Sequence, residues 1–198
     1  MPLFRNKAPK HLSLETQLQT LADHGINLLP DRTVDEFLIS FPREDYESSP
    51  FGLVLFVLGG EVESRPCGRH FSNDIYTFDA ECIEDHGDYR SQVLQLCRIA
   101  GDDLPVEDIS DTIDIDAGIA RIELTLDGRT HEFEPHVDND WFDPDVIFWL
   151  DALLAARGST RRFFLHDTGD QNLVTICTTP DRVAALSKAT GLVFHAAD

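Results

Sequence analysis

The residues whose types and spacing are best suited to chemistry are two Cys/His pairs in the first half of the chain. Cys67 precedes His70 by three positions, and Cys82 precedes His86 by four. Two thiolates and two imidazoles can form the tetrahedral sulfur and nitrogen set that zinc prefers. Two features count against zinc, because Cys82 lies in an alternating apolar pattern and the two pairs do not follow the ligand order of a zinc finger. A zinc-dependent enzyme that uses these four residues is retained as an alternative.

Two aspartate-rich stretches, DTIDIDAG and DNDWFDPD, suggest a calcium loop. An EF-hand loop needs oxygen ligands at its first, third and fifth positions and glycine at its sixth. When Gly118 takes the sixth position of the first stretch, two isoleucines and an alanine occupy the ligand positions. The second stretch has no glycine at the corresponding place. The pattern therefore excludes an EF-hand in both stretches.

Motifs for nucleophilic catalysis and for nucleotide binding are absent from the sequence. It contains no G-x-S-x-G elbow, no P-loop and no G-x-G-x-x-G segment. Cys177 is predicted to lie opposite Arg162 on a neighbouring strand, with His166 nearer to the turn, so no thiol–imidazole pair is indicated. The sequence therefore favours a protein that is not an enzyme.

Charge is the strongest compositional signal in the chain. There are 36 Asp and Glu residues against 16 Lys and Arg, which gives a formal net charge of −20. Such a field repels nucleic acids and anionic membranes, and it accelerates association with cationic proteins. An acidic surface that serves only solubility is the competing explanation. The charge thus predicts a basic protein partner.

The acidic residues are concentrated in the middle of the chain. Seven acids and no base lie between Arg98 and Arg121, and a second acidic run without bases lies between Arg129 and Arg157. These runs supply the predicted partner contacts, which act through electrostatic complementarity and association rate. The predicted contact residues are Asp102, Asp103, Glu107, Asp108, Asp111, Asp114, Asp116, Asp138 and Asp140.

The length and the cysteine content of the chain limit the class of protein to which it can belong. A chain of 198 residues buries about 70% of its unfolded surface, so no cofactor or disulfide is needed to explain folding. No apolar core of signal-peptide length follows the basic start of the sequence, and no run approaches the length of a membrane span. We therefore expect a cytoplasmic protein with reduced thiols. The four cysteines are Cys67, Cys82, Cys97 and Cys177.

The elements that must position these residues begin with helices. Ser13 caps an amphipathic segment that Gly25 ends. Thr33 and Glu36 form a capping box that starts a second helix, and Pro42 ends it. The apolar stretch SSPFGLVLFVLGG is assigned as a third helix on its flanking residues, although periodicity does not separate it from a buried strand.

Strand patterns begin at Ile75, where IYTFDAECI alternates in polarity. A helix, DYRSQVLQLCRIA, follows and ends at Gly101. The acidic stretch up to Asp116 has little periodicity and is predicted to be a loop or an edge element. Two further strands surround a turn at 168–171, and they are followed by a helix and a final strand, LVFHA.

The best hairpin signal is the pair Asp127-Gly128, which is preferred in a two-residue type I′ turn. Apolar and polar residues alternate on both sides of this turn, and this alternation agrees with the strand register that the turn sets. The predicted cross-strand pairs are Thr125 with Thr130, Leu124 with His131, Ile122 with Phe133, and Arg121 with Glu134.

Four aspartates precede the most apolar segment of the C-terminal half, in HVDNDWFDPDVIFWLDALLAARG. Asp143 before Pro144 is typical of a helix N-cap, and Asp145 lies in the first turn, where the helix dipole favours negative charge. The start of the helix therefore explains two of the four. Asp138 and Asp140 are left as surface residues.

The element order is approximately ααα-βα-ββαββαβ. Hairpins between helices predict an α+β fold with N-terminal helices packed on a mainly antiparallel sheet. We expect a flexible basic N-terminus at 1–12 and a single domain at 13–198. Within this domain the pattern distinguishes a helical lobe at 13–60 from a sheet-containing lobe at 61–198.

In general character the chain is similar to the immunity proteins of bacterial toxin systems, which are small, acidic and free of catalytic motifs. This resemblance implies a cytoplasmic inhibitor that covers the active site of a basic toxin or effector. No sequence motif carries it, so it assigns a role to no residue. A DNA-mimicking regulator, whose carboxylates are spaced like phosphates, is a further alternative.

Overall fold

The structure is a computed structural model that describes residues 11–62 and 68–197. Over these residues it contains four N-terminal helices, followed by two antiparallel sheets with three further helices between their strands, which confirms the predicted α+β fold. The helices are α1 (Leu14–Asp23), α2 (Val34–Ser40), α3 (Arg43–Ser48), α4 (Gly52–Gly59), α5 (Asp88–Ala100), α6 (Asp145–Ala156) and α7 (Pro180–Thr190). The strands are β1 (Ile75–Asp79), β2 (Val106–Asp114), β3 (Ile119–Leu126), β4 (Arg129–Phe133), β5 (Arg162–Asp167), β6 (Asn172–Thr178) and β7 (His195–Ala196).

The first two helices begin at the predicted caps. The Ser13 hydroxyl accepts the Thr16 backbone N–H at 3.3 Å. The Thr33 hydroxyl accepts the Glu36 N–H at 3.4 Å, while the Glu36 carboxylate accepts the Thr33 N–H at 2.9 Å. The reciprocal pair is the predicted capping box, and it satisfies backbone donors that have no partner within the helix.

The N-terminal region contains one more helix than the pattern predicted. Helix α3 follows Pro42, has only six residues and fully buries only Tyr46. A helix of this length is too short to show an apolar period. Helix α4 confirms the helical assignment of the apolar stretch, but it begins at Gly52. Phe51, immediately before it, has a φ of 74° and reverses the chain, which prevents Pro50 from serving as the first helical residue.

Sheet 1 has the strand order β1-β6-β5-β7, and both of its faces are covered. Successive side chains point to opposite faces of a strand, so each strand contributes to two hydrophobic clusters. The face toward α1–α4 and α7 presents Ile75, Phe164, Val174 and Ile176. The face toward α5, α6 and the second sheet presents Tyr76, Phe78, Phe163 and Cys177.

The register between β5 and β6 differs from the prediction by one residue. Cys177 lies opposite Phe163, and Arg162 lies opposite Thr178. The connection is longer than predicted because Asn172 pairs with β1 and has no partner in β5. Hydrogen bonds within the connection hold it in this form, since the Asp170 carboxylate accepts the Asn172 N–H at 2.8 Å.

Sheet 2 has the order β2-β3-β4 and confirms the predicted hairpin. Asp127 and Gly128 have φ values of 51° and 69°, as a type I′ turn requires. Three of the four predicted cross-strand pairs are present, and β4 ends at Phe133, before the fourth. The acidic stretch predicted as a loop or an edge element is the edge strand β2.

A close backbone approach joins the helical layer to sheet 1. Gly59, at the end of α4, lies against Thr77 of β1, and a Cβ atom at Gly59 would lie 2.7 Å from the Thr77 backbone nitrogen and closer still to its hydroxyl oxygen. Nothing lies within 4 Å of a Cβ atom added at Gly52, at the other end of the same helix. Only the first of these two glycines is required by packing.

We expect Gly59→Ala to lower the free energy of unfolding by about 1–3 kcal/mol, because α4 must move away from β1. Gly52→Ala is the matched control, since alanine favours a helix and meets no neighbour there. Urea unfolding of both variants measures the difference. Equal stability of the two variants would contradict the close approach.

Candidate functional site

Most of the predicted contacts between Asp102 and Asp116 lie on or beside the edge strand β2. Asp102, Glu107, Asp108, Asp114 and Asp116 are exposed. Several of these acids also support local structure. The Glu107 carboxylate accepts the Gly128 N–H at 3.1 Å, the Asp114 carboxylate accepts the Ala117 N–H at 2.9 Å, and Asp103 lies 3.3 Å from the Arg161 guanidinium.

Asp111 has a structural role that its sequence context does not reveal. One carboxylate oxygen accepts the Gly87 N–H at 2.7 Å, and the other accepts the Arg90 N–H at 2.9 Å. Both donors belong to the N-terminal turn of α5, where Gly87 offers no side-chain cap. Asp111 therefore caps this helix from β2, and charge interacts favourably with the dipole there.

The N-terminal end of α5 also covers the outer edge of β2. The Arg90 guanidinium donates to the Ile109 carbonyl at 3.0 Å, and the His86 Nδ1 accepts the Ile113 N–H at 2.9 Å. These bonds satisfy backbone groups that an edge strand otherwise leaves open to other chains. The β2 edge is thus an internal contact of the fold.

Asp138 and Asp140 lie in a different place, where two loops are joined by backbone hydrogen bonds. The Ile83 N–H donates to the Asp140 carbonyl at 2.9 Å, and the Phe142 N–H donates to the Ala80 carbonyl at 2.7 Å. Glu81 and Trp141 form an isolated antiparallel bridge between the same loops. The structure therefore brings residues 80–83 against residues 138–142.

The two segments that meet at this bridge contain no Lys or Arg. Residues 71–89 include six acids, and residues 130–156 include seven. Only the second of these runs was predicted from the sequence as an acidic surface. The first could have been found by the same charge count, but their meeting depends on tertiary structure.

The thiol of Cys82 lies near carboxylates of both acidic segments. Burial raises the pKa of Cys82 to about 12, and the neighbouring carboxylates of Asp79, Asp88 and Asp140 contribute in the same direction. Two of these acids come from the first segment and one comes from the second. The Cys82 thiol stays protonated at neutral pH, which does not suit a nucleophile.

Trp141 is exposed at the centre of this acidic region. Its side chain is 41% exposed, although it belongs to the bridge between the two loops. A cavity of about 260 Å³ lies beside it. The cavity is lined by His136, Asp138, Trp141, Phe142, Asp143 and Pro144. We call this cavity, together with Glu81 and Asp140, the Trp141 surface.

Asp143 fixes one wall of the cavity and starts α6. Its carboxylate accepts the His136 N–H at 2.7 Å with one oxygen and the Asp145 N–H at 3.0 Å with the other. The predicted N-cap role is therefore present in the side-chain bond to Asp145, although the regular hydrogen-bond pattern of α6 begins one residue after Pro144. Both oxygens are held by the backbone, so the carboxylate is fixed in position.

Three of the four residues of the alternative zinc site, His70, Cys82 and His86, are among the described residues. Cys67 lies outside the described residues. The His70 Nδ1 atom is buried without a hydrogen-bond partner among the residues described, and burial, followed by the charge of Arg98, lowers the pKa of His70. Within 11–62 and 68–197, no three His, Cys, Asp or Glu side chains are grouped as ligands for a metal ion.

Comparisons with protein-family models, curated proteins and solved structures found no match to this chain. Among the helices of the described ranges, none is long and apolar enough to cross a bilayer.

We expect Asp111→Asn to lower the free energy of unfolding by about 1 kcal/mol, because an amide group replaces one of the two oxygens that cap α5. Asp116→Asn removes the same charge at an exposed position and should leave stability nearly unchanged. Urea unfolding compares the two variants. If they were equally stable, the cap would contribute nothing and Asp111 would be free to act as a surface contact.

Salt should stabilise the fold, because many of the 36 acids are exposed and only 16 Lys and Arg oppose them. Screening shortens the range of carboxylate repulsion from about 10 Å at 0.1 M to about 3 Å at 1 M salt, and this repulsion opposes the compact state. The midpoint of thermal unfolding should therefore rise between 0.1 M and 1 M KCl. A midpoint that does not depend on KCl would contradict this expectation.

Proposed function

We propose that the protein binds a basic protein partner through the Trp141 surface and neutralises it, in the manner of an immunity-type inhibitor of a cationic toxin or effector. The observation that carries this proposal is the meeting of two acidic segments without Lys or Arg around an exposed tryptophan. Carboxylates favour a cationic partner, and an exposed aromatic side chain provides apolar area for contact.

The chemistry of protein interfaces supports this use of Trp141. Interfaces draw most of their binding energy from a few central residues, among which tryptophan is enriched. An acidic rim steers a basic protein toward the surface and raises the association rate. The Trp141 surface combines a central aromatic residue with the carboxylates of Glu81, Asp138 and Asp140.

The acids of β2 have a different part in this proposal. Asp108 pairs with Thr125 and Asp114 pairs with Ile119, on the solvent side of sheet 2. They contribute to the long-range field that attracts a basic protein, and they need not touch it. Asp111 is excluded from contact because its two oxygens cap α5.

The immobilised protein can be used to capture its partner at low ionic strength from a lysate of the organism that makes this chain. Raised salt should then release the partner. We expect a protein of high pI whose toxic activity is suppressed by stoichiometric addition of this chain. Trp141→Ala should weaken binding by about 2 kcal/mol, or roughly 30-fold in Kd. Asp138→Asn combined with Asp140→Asn should slow association and reduce its dependence on salt.

Ile39→Ala is the matched control for the tryptophan variant. Ile39 is an exposed apolar residue of α2, 55% accessible, and it lies outside the Trp141 surface. Its removal should leave the affinity for the partner unchanged. A partner that is neutral or acidic, or whose binding is indifferent to salt and to Trp141, would overturn the proposed function.

A further inference from the structure

The cavity beside Trp141 combines the two features that an arginine side chain requires. Its apolar lining comes from Trp141, Phe142 and Pro144, and its polar lining includes Asp138 and Asp143. Apolar walls can accept the methylene groups of a long cationic side chain, while the charged end reaches carboxylates. The cavity is open to solvent at Trp141 and Asp138, which are both exposed.

We propose that this cavity binds one arginine side chain of the basic partner, with the guanidinium packed on Trp141 and hydrogen-bonded to the neighbouring carboxylates. This inference rests on the proposed function for the source of the arginine. Beyond the proposed function, it specifies arginine as the side chain that is bound, and Trp141 and the neighbouring carboxylates as the residues that bind it.

The carboxylate of Asp143 is prepared for this role by the backbone. Each of its oxygens accepts one N–H, from His136 or Asp145, and each retains capacity for another donor. Because the two bonds fix the carboxylate before binding, little conformational entropy is lost when a guanidinium arrives. Asp138, in contrast, is exposed to solvent.

Geometry favours arginine over lysine at this cavity. The guanidinium is planar, stacks on aromatic faces and presents a fork of donors that matches a carboxylate. The lysine ammonium is compact and strongly hydrated, so it gains less from an aromatic wall and a fixed carboxylate. Acidic surface without such a cavity attracts both side chains through charge alone.

The absence of competing cations within the two segments strengthens the assignment. Neither residues 71–89 nor residues 130–156 contain a Lys or Arg that could fill the cavity from within the same segments. Among the ion pairs of the described residues, Asp138, Asp140 and Asp143 have no partner. Within the described residues, these carboxylates are therefore open to a cationic group from another molecule.

Fluorescence anisotropy with two labelled peptides, nona-arginine and nona-lysine, tests the inference on the full chain. Both peptides carry the same formal charge, so a difference in their Kd values measures recognition beyond charge. We expect nona-arginine to bind about tenfold more tightly at 0.1 M salt. Trp141→Ala should abolish this preference, and Trp141→Phe should retain part of it, because an aromatic face remains.

Asp138→Asn should weaken nona-arginine binding several times more than nona-lysine binding. Asp116→Asn is the control of equal charge, on the exposed turn between β2 and β3, and it should weaken both peptides by the same small factor. Urea unfolding of each variant confirms that it is folded. Asp143 is left intact, because its carboxylate also starts α6.

Equal binding of the two peptides, or an arginine preference that survives Trp141→Ala, would overturn the arginine site. The proposed function would then still stand if the affinity of the captured partner depended on Trp141. Conversely, an arginine preference that requires Trp141, with a captured partner of low pI, would support the cavity site and overturn the proposed function.

Discussion

The burial of sheet 1 on both faces is the constraint on which the rest of the structure depends. Its strands carry large apolar side chains on each side, so neither face can remain in water. The N-terminal helices and α7 cover one face, while α5, α6 and sheet 2 cover the other. Each of these elements comes from a different part of the chain, and their positions follow from the need to cover the sheet.

The placement of the acidic surface is a consequence of that arrangement. Helix α6 must reach sheet 1, so the loop before it passes beside the end of β1, where the Phe142 N–H meets the Ala80 carbonyl. The same loop contributes Phe142 to the core, in contact with Phe78 and Tyr89. Trp141, the residue immediately before Phe142, is then turned outward among carboxylates. Packing on one side of the loop thus determines what the other side presents to solvent.

The chain tolerates its charge because the acids and the core are separated in space. The described buried residues are almost all apolar, and the exceptions include Asp151, whose carboxylate accepts the Phe163 N–H at 2.6 Å. A buried polar group of this kind requires a partner to offset its desolvation. Exposed carboxylates need no partner in water, but they repel one another, and that repulsion remains available for a cationic molecule to relieve.

Local sequence signals determined the elements that depend on local chemistry. The caps at Ser13 and Thr33 and the hairpin at Asp127-Gly128 were predictable, because a cap or a two-residue turn involves only neighbouring residues. The β5–β6 register was not, since it depends on a hydrogen-bonded connection and on the pairing of Asn172 with β1. Helix α3 was missed because six residues are too few to show an apolar period.

For the candidate site, the sequence by itself determined the net charge, the base-free run at 130–156 and the cap at Asp143. Only the tertiary structure decided that Asp111 caps α5, while Asp138 and Asp140 join a surface around Trp141. The physical reason is that a carboxylate's role depends on the donors and charges that surround it. Those neighbours come from segments far apart in the chain, and folding alone brings them together.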